Sequence, residues 1–503
     1  MVTETTKPHG AHTAESFKES LRDGREVWVD GERVADVTTH PAFKDTIDEL
    51  ARIYQLQHTD EYRDQMTFVS PESGIRCSLS YLLPRSAEDL RKKRRNSEIW
   101  NQQAWGQFGR GPDLLPQFVL GLYNNREALS AVKNPHCDFG ENVVNYHTFC
   151  QENDIFLTHA LGDPQVDRSL QPQNETRQVK EEDLSLHVVE ETNEGIIVSG
   201  GKQVSTAAHM SNDTYVSLSA TFVRRADPRF IQAFSIPSGS KGLKIFCREP
   251  VSQYPGHYGH PFGIRYDEQD CMLFFDNVLV PWDRVFMLYD ASAMVQRLAG
   301  GANFMGWSNY VRIHERMKTM TAVASMIAEA IGVNEFREVA AKLGEMIMFT
   351  EVWRHAMNGL EHGAYMTQGG LMSLGRGTGM NLFFAQFSQR MVELLRQIAG
   401  SGVLMQPSER DLANPEIRPY LDRYMRGKDV GVEYKSRLFR FAHDLAASSF
   451  AMRQEVYEYW HGGDPNRNRV NLYRGYDQSE MMDRIREMVS EPLPYTGPME
   501  STG

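Results

Sequence analysis

The sequence predicts an α+β protein in which a mainly helical first part, a strand-rich middle and a helical last part follow one another along the chain. Two observations carry this. Before about residue 147 and after about residue 284, apolar residues recur at helical spacing, whereas between them short runs are punctuated by Gly, Pro and Asp. With 503 residues, 41% of them hydrophobic and 24% charged, the chain also has enough apolar material for a large core. The expected divisions are 1–147, 148–283 and 284–503.

The first 15 residues are polar and read as a loose tail. Asp45–Gln57 places Ile47, Leu50, Ile53, Tyr54 and Leu56 on one helical stripe. Ser86 opens a capping signature, S-A-E-D, and a charged helix running toward Trp105, which the glycines of Gly106–Pro112 then break. In the middle part, Leu184–Glu190, a turn at Thr192–Gly195 and Ile196–Val204 form a hairpin signal. Tyr215–Arg224, Phe230–Ile236, Leu243–Arg248 and Cys271–Val280 follow as further strands, a succession that suits a barrel or sandwich. Tyr310–Ile331, Asn334–Gly359, Asn381–Ala399 and Glu433–Trp460 are long periodic segments expected to pack as a bundle, with their methionines as core filler.

A net charge of −12 with no basic face argues against nucleic acid as a partner. No run approaches about 18 uninterrupted apolar residues and Met1–Glu15 has no apolar leader, so a cytoplasmic protein without a membrane span is expected. Cys77, Cys137, Cys150, Cys247 and Cys271 are scattered without a C-x-x-C, which reads as reduced thiols and no metal site. There is no dinucleotide fingerprint; the nearest glycine cluster, Gly375–Gly379, lies between helical segments. Phosphate-loop, H-E-x-x-H and G-x-S-x-G motifs are absent as well. A redox enzyme built this way receives its electrons already loaded on a carrier.

Ordered short blocks then identify a resemblance. They run from Ser20-Leu21-Arg22-Asp23-Gly24-Arg25-Glu26 and Gly31-Glu32-Arg33-Val34 through Asp36-Val37-Thr38-Thr39-His40-Pro41-Ala42-Phe43 to Gly109-Arg110-Gly111-Pro112-Asp113. Thr158-His159-Ala160-Leu161, Pro164-Gln165-Val166-Asp167-Arg168 and Gly195-Ile196-Ile197-Val198-Ser199-Gly200 follow. Asp276-Asn277-Val278-Leu279-Val280-Pro281-Trp282 and Pro407-Ser408-Glu409-Arg410-Asp411-Leu412 complete the series. In this order the blocks resemble the 4-hydroxyphenylacetate 3-monooxygenase (oxygenase component) family of aromatic hydroxylases, over nearly the whole chain.

The resemblance implies an acyl-CoA-dehydrogenase-like scaffold with an N-terminal helical domain, a middle β-barrel domain and a C-terminal four-helix bundle, assembled as a homotetramer or dimer. It implies FAD as FADH2, supplied by a separate NAD(P)H-flavin reductase, with O2 as co-substrate. The reaction implied is hydroxylation of a phenol or other electron-rich aromatic ring through a flavin C4a-hydroperoxide. Arg110 matches the family's substrate-binding arginine, whose charge would favour an ionised phenol. His159 matches the active-site histidine near substrate and flavin. His159, Ala160, Leu161, Gln165, Val166, Asp167, Arg168 and Thr206 match flavin-contacting positions; Arg248 and Gly463-Asp464-Pro465-Asn466 are weaker matches. Ser219, Ala220 and Thr221, in the segment from Ser217, match the region that cups the substrate tail, and carry no cation for a carboxylate.

One position departs from the family pattern, which reads G-R-[ST]-P-D-Y: here Leu114 stands where the tyrosine reaches the substrate hydroxyl. A phenol in the usual pose would lose a hydrogen bond worth about 0.5–1.5 kcal/mol. A different phenol, or an electron-rich heteroaromatic such as a pyrrole or indole, is therefore expected. Two other readings share the scaffold. One is a flavin and iron–sulfur 4-hydroxybutyryl-CoA dehydratase, which needs cluster cysteines that the helix Ser86–Trp105 lacks. The other is a non-catalytic scaffold, against which Arg110, His159, Gln165 and Arg168 stand.

Overall fold

The structure, a computed structural model, describes residues 8–166, 184–218, 228–251, 256–294, 304, 306–375 and 377–491. The strands are β1 (Glu26–Val29), β2 (Glu32–Val34), β3 (Thr67–Val69), β4 (Arg76–Ser78), β5 (Leu157–Ala160), β6 (His187–Glu191) and β7 (Gly195–Thr206). They continue with β8 (Asp213–Val216), β9 (Gln232–Pro237), β10 (Leu243–Cys247), β11 (Asp270–Pro281), β12 (Val285–Leu288), β13 (Tyr365–Met366) and β14 (Met372–Ser373). Two sheets form the middle of the molecule, one in the order β2-β1-β10-β11-β7-β6 and one in the order β12-β9-β8-β5. Their inner faces meet through side chains such as Phe234 of β9 and Phe275 of β11, whose rings lie edge to face at 6.3 Å.

The expected β6–β7 hairpin is present, antiparallel from His187↔Ser199 to Glu191↔Ile196. The first part of the chain, however, is not purely helical. Glu26–Val34 forms a hairpin whose turn residues Asp30 and Gly31 both have positive φ, 49° and 78°. An Asp-Gly pair between alternating residues is a strong two-residue hairpin signal, because both turn positions need the left-handed region. β1 then pairs in parallel with β10, so the N-terminal segment completes the larger sheet.

The tail is also shorter than expected. Gly10 N–H donates to Glu152 O at 2.9 Å, Ala11 N–H to Arg76 O at 2.8 Å and His12 N–H to Asp154 at 2.9 Å. Thr13 caps the helix Ala14–Ser20 with a reciprocal bond to Ser16. Residues 10–14 are thus tied down by their backbone N–H groups; residues 1–7 lie outside the described set.

The amphipathic helix appears as Lys44–Gln55, and Ser86 caps Ala87–Gln103 by accepting from Asp89 N–H. The bundle contains Gly306–Ala330, Arg337–His362, Thr378–Ala399 and Val432–Ala446, with the first and third each packed against the other three around buried residues such as Trp307, Trp353, Leu394 and Leu445. The expected single helix Glu433–Trp460 is two helices. The chain turns at Ala447 and restarts as Ser449–Trp460, with Ser448 accepting from Ala451 N–H. A serine hydroxyl competes for backbone donors and favours a cap over a helix interior. That restart aims the second helix at the loop after Ala87–Gln103. No helix among the described residues is long and apolar enough to cross a membrane.

Candidate active site

The loop Gly106–Pro112 leaves the end of one helix and enters Leu115–Asn124, and a single buried carboxylate shapes it. Glu268, fully buried, accepts from Gly109 N–H and Arg110 N–H, each at 2.7 Å, and from Arg453 Nη1 at 3.0 Å. A Cβ at position 109 would lie 2.4 Å from Tyr457 Cζ, so only glycine lets the tyrosine ring close over this loop.

Arg110 is 8% exposed. Its guanidinium lies 5.1 Å from the Tyr457 ring centre and donates through Nη1 to the Tyr457 hydroxyl, which in turn donates to Gly109 O at 2.8 Å. Arg110 Nε is buried without a partner. Among the described residues no carboxylate pairs with this guanidinium. Arg312 and Arg453 also face the Tyr457 ring, at 5.5 and 4.9 Å, but both are neutralised. Arg312 makes a two-pronged bond to Glu458 at 2.6 and 2.7 Å. Burial alone would raise the Glu458 carboxyl, but Arg312 and then Arg316 outweigh it and hold it at about 2.

Two imidazoles face the same charge. His159 is the third residue of β5 and register partner of Tyr215 in β8, so both side chains leave the same face of that sheet. Its Nδ1 is buried without a partner. Burial, and after it the nearby Arg110, push its pKa down to about 3. His461 follows the helix Ser449–Trp460 and stacks on Tyr457 at 5.2 Å. Its Nδ1 lies 3.2 Å from Glu458 O, and its Nε2 is buried without a partner. Burial, then Arg312 and Arg110 against the pull of Glu458, hold it at about 4. The site therefore presents three unpartnered buried atoms: Arg110 Nε, His159 Nδ1 and His461 Nε2.

A second wall adjoins this one. Thr206, at the end of β7, donates to Asp270 Oδ1 at 2.9 Å. Asp270 also accepts from Arg453 at 2.7 and 2.8 Å and from Arg248 Nε at 3.1 Å. Burial opposes the charge, yet Arg453 and Arg248 hold Asp270 well below the usual carboxylate range. Arg453 thus joins the Thr206 wall to the Gly109–Arg110 loop. Arg248 spends all three guanidinium nitrogens on Asp270, Asp267 and Glu249 O. It is thereby a strut of the wall.

Of the other sequence-assigned residues, Ala160 is buried in β5, Leu161 is half-buried, and Gln165 and Val166 are exposed. Their loop is tied to the sheet by Gly162, where a Cβ would meet Gln203 O at 2.0 Å, and by the buried Lys202, which donates to Asp163 at 2.9 Å and Ser217 O at 3.0 Å. Asp167, Arg168, Ser219, Ala220 and Thr221 lie outside the described residues. Gly463, Asp464, Pro465 and Asn466 follow His461 after Gly462 and lead into the helix Pro465–Gly475, with Asp464 accepting from Asn466 N–H at 2.9 Å. Leu114 is 3% exposed and belongs to the main core, at the entry of Leu115–Asn124.

Glu268, Asp270, Arg453, Tyr457 and His461 were not anticipated. The acidic run Asp267-Glu268-Gln269-Asp270 and the Y-x-x-x-H spacing at 457 and 461 were the available signals. None of the five free cysteines lies on Ala87–Gln103, which counts against the iron–sulfur alternative.

The N-terminal model of the 4-hydroxyphenylacetate 3-hydroxylases matches residues 13–287, and the C-terminal model of the same family matches residues 291–490. The chain is 32% identical to the 4-hydroxyphenylacetate 3-monooxygenase oxygenase component of Thermus thermophilus, over 96% of this chain and 98% of that protein. It is also 32% identical to the oxygenase component of a Rhodococcus 4-nitrophenol 2-monooxygenase, over 90% of this chain and 86% of that one. A crystal structure of the 4-hydroxyphenylacetate 3-monooxygenase oxygenase component complexed with FAD and 4-hydroxyphenylacetate superimposes with a TM-score of 0.88 at 30% identity, covering 95% of this chain and 98% of that one. The expected α+β, acyl-CoA-dehydrogenase-like scaffold is the fold observed. The chain belongs to the 4-hydroxyphenylacetate 3-hydroxylase family.

Proposed function

We propose that this chain is the oxygenase half of a two-component, FAD-dependent monooxygenase, and that Arg110, His159, Tyr457 and His461 receive the oxygen of a phenol or an equally electron-rich ring. The observation that carries this is the buried Arg110 guanidinium, without a counter-ion among the described residues and flanked by two imidazoles with free nitrogens. A buried cation needs an anion, and a phenolate oxygen is one. A positive charge about 4 Å from that oxygen is worth about 4 kcal/mol at an effective dielectric of about 20, or about 3 pK units. That opposes the burial that would otherwise keep the phenol protonated. His159 and His461, held at about 3 and about 4, stay neutral at pH 7 and act as hydrogen-bond partners. Proton storage is not their role.

Reduced flavin, when bound, supplies the two electrons with which O2 delivers one oxygen atom to the ring. The residues fit it: the Thr206 hydroxyl keeps its lone pairs free while donating to Asp270, and His159 Nδ1 has no protein partner. Thr206, His159 and the Leu161–Val166 loop would hold it, joined by Asp167 and Arg168. The chain lacks a dinucleotide fingerprint, which supports a separate NAD(P)H-flavin reductase as the electron source. Leu114 supports a substrate whose polar group points at Arg110 and α-helical Tyr457 and not at position 114. Self-association, as a homotetramer or dimer, is supported by the exposed apolar residues Met481, Met482, Ile485, Met488 and Val489 on the helix Ser479–Val489. The free cysteines support a cytoplasmic setting.

The test is anaerobic loading with FADH2, mixing with oxygen, and measurement of hydroxylated product per flavin oxidised across a panel of phenols, pyrroles and indoles. One class should give near-stoichiometric product. Tight FADH2 binding with no hydroxylation of any electron-rich ring would overturn the substrate reading. Absence of FADH2 binding would overturn the enzyme reading itself.

A further inference from the structure

The ends of β7, β10 and β11 bring three soft donors together behind the Thr206 wall. Cys247 ends β10 and Cys271 is the second residue of β11; they are register partners, with Sγ atoms 3.6 Å apart. His209, in the turn Ala208–Met210 after β7, places Nδ1 4.0 Å from Cys271 Sγ. One donor atom from each of the three lies within 4.8 Å of the others, and no residue of the trio is more than 1% exposed.

These distances suit a shared cation. With metal–sulfur bonds of about 2.3 Å and metal–nitrogen bonds of about 2.0–2.1 Å, tetrahedral angles set S···S at about 3.8 Å and S···N at about 3.6 Å. The S···S edge, 3.6 Å, and the Cys271 S···N edge, 4.0 Å, are within a few tenths of an ångström of those values, and the third edge is under 4.8 Å. The backbone around the donors is shaped for them. Ala207 and Gln269, flanking His209 and Cys271, both adopt positive φ, 66° and 35°, and are joined by Ala207 N–H to Gln269 O at 2.9 Å. A register shift against β7 falls between Cys271 and Met272, the kind of irregularity that re-aims a side chain. Phe43 packs on the His209 ring at 4.4 Å, and Arg25 donates to His209 O at 2.9 Å, which fixes the turn.

We propose that His209, Cys247 and Cys271 form a closed structural zinc site. Two thiolates and a neutral imidazole leave a zinc(II) site uncharged, which suits full burial; copper(I) would leave a net negative charge there. Gln269 O, 3.9 Å from Cys271 Sγ, is the available fourth donor, since a carbonyl that already accepts one bond keeps a second lone pair. Each ligand lies within three residues of Thr206, Arg248 or Asp270, so the ion staples together the three segments that carry that wall. The zinc assignment stands independently of the flavin reading; only the link to flavin affinity rests on it.

The full chain, purified without a histidine tag and reconstituted with zinc, is analysed by elemental mass spectrometry, thiol titration and cobalt substitution. The expected result is one zinc per chain, thiolate-to-cobalt charge-transfer absorption, and zinc release when a mercurial reagent titrates the thiols. Cys247→Ser, Cys271→Ser and His209→Ala lose the metal, while Cys77→Ser, at a buried cysteine elsewhere, keeps it. Zinc removal lowers Tm and, if the flavin reading holds, weakens FADH2 binding. Zinc-free protein after reconstitution, copper in place of zinc, equal metal content in wild type and variants, or a Cys247–Cys271 disulfide in freshly purified protein would each overturn the proposal. The wild-type measurements need no variant to fold.

Discussion

Glu268→Gln isolates the contact on which the site depends. The carboxylate accepts two backbone N–H bonds of 2.7 Å, from Gly109 and Arg110, one on each oxygen. An amide can accept only one of them and turns an NH2 group toward the other donor. Losing a hydrogen bond to a charged group costs about 1.5–3 kcal/mol, and leaving a buried N–H unpaired costs about 1–3 kcal/mol more. Arg453 keeps Asp270, which limits the charge imbalance. The sum, about 2.5–6 kcal/mol, brackets the cost of about 3–5 kcal/mol for breaking a buried charged contact, which is the range used below. At about 2.1 cal/mol/K per residue, a 503-residue chain unfolding as one unit loses about 3–5 °C in Tm. Function should suffer more. Displacing Arg110 by about 1 Å can cost about 100-fold in a positioned reaction. The assays are thermal unfolding and single-turnover product yield from FADH2-loaded enzyme. A normal Tm together with a normal yield would show that Glu268 does not hold the arginine loop, and the account of the site would fail.

Four further outcomes are expected. Tyr457→Phe removes the hydroxyl shared by Arg110 and Gly109 O but keeps the ring over the guanidiniums, so substrate binding weakens by about 0.5–1.5 kcal/mol per lost bond while FADH2 affinity is unchanged; equal losses in both, by equilibrium titration, would count against it. Leu114→Tyr should raise turnover of 4-hydroxyphenylacetate, and a wild-type enzyme that already prefers that acid over every other substrate would contradict this. Arg312→Met with Glu458→Met should recover much of the stability lost by either change alone, as double-mutant unfolding would show, because the single changes strand a buried charge. Stability should fall on acidification. His147, His159 and His461 have folded values of about 4, 3 and 4 against 6.5 when unperturbed, so the unfolded chain takes up protons first. Their contribution is complete above pH 6.5 and is lost as pH falls toward those values, at about 1.4 kcal/mol per unit for each group. A Tm unchanged between pH 7 and pH 5 would contradict it.

Much of this architecture was legible locally. The stripe from Ile47 to Leu56, the Ser86 cap, the β6–β7 hairpin and the long bundle helices each follow from residues a few positions apart. The β1–β2 hairpin was equally legible, in Asp30-Gly31 between alternating residues, and went unread. The restart at Ser448 was readable as a cap but hidden in a strongly periodic stretch. Arg110 and His159 stood out through the ordered blocks around them. Tyr457 and His461 did not, because the helix that carries them looks like any other bundle helix until its direction is known.

Sequence alone therefore determined the α+β class and the family, and singled out the two residues proposed to head the site, since all of these are written in short-range patterns. Tertiary structure decided what those residues face. Glu268 grips the arginine loop across 159 positions and Tyr457 meets Arg110 across 347. No local periodicity encodes such meetings; they follow from where the second half of a broken helix points and which sheet edge it crosses. The cysteines carry the same lesson. Spaced along the chain without a motif, they read as idle thiols. Antiparallel register sets Cys247 directly against Cys271, and a turn after β7 swings His209 onto them.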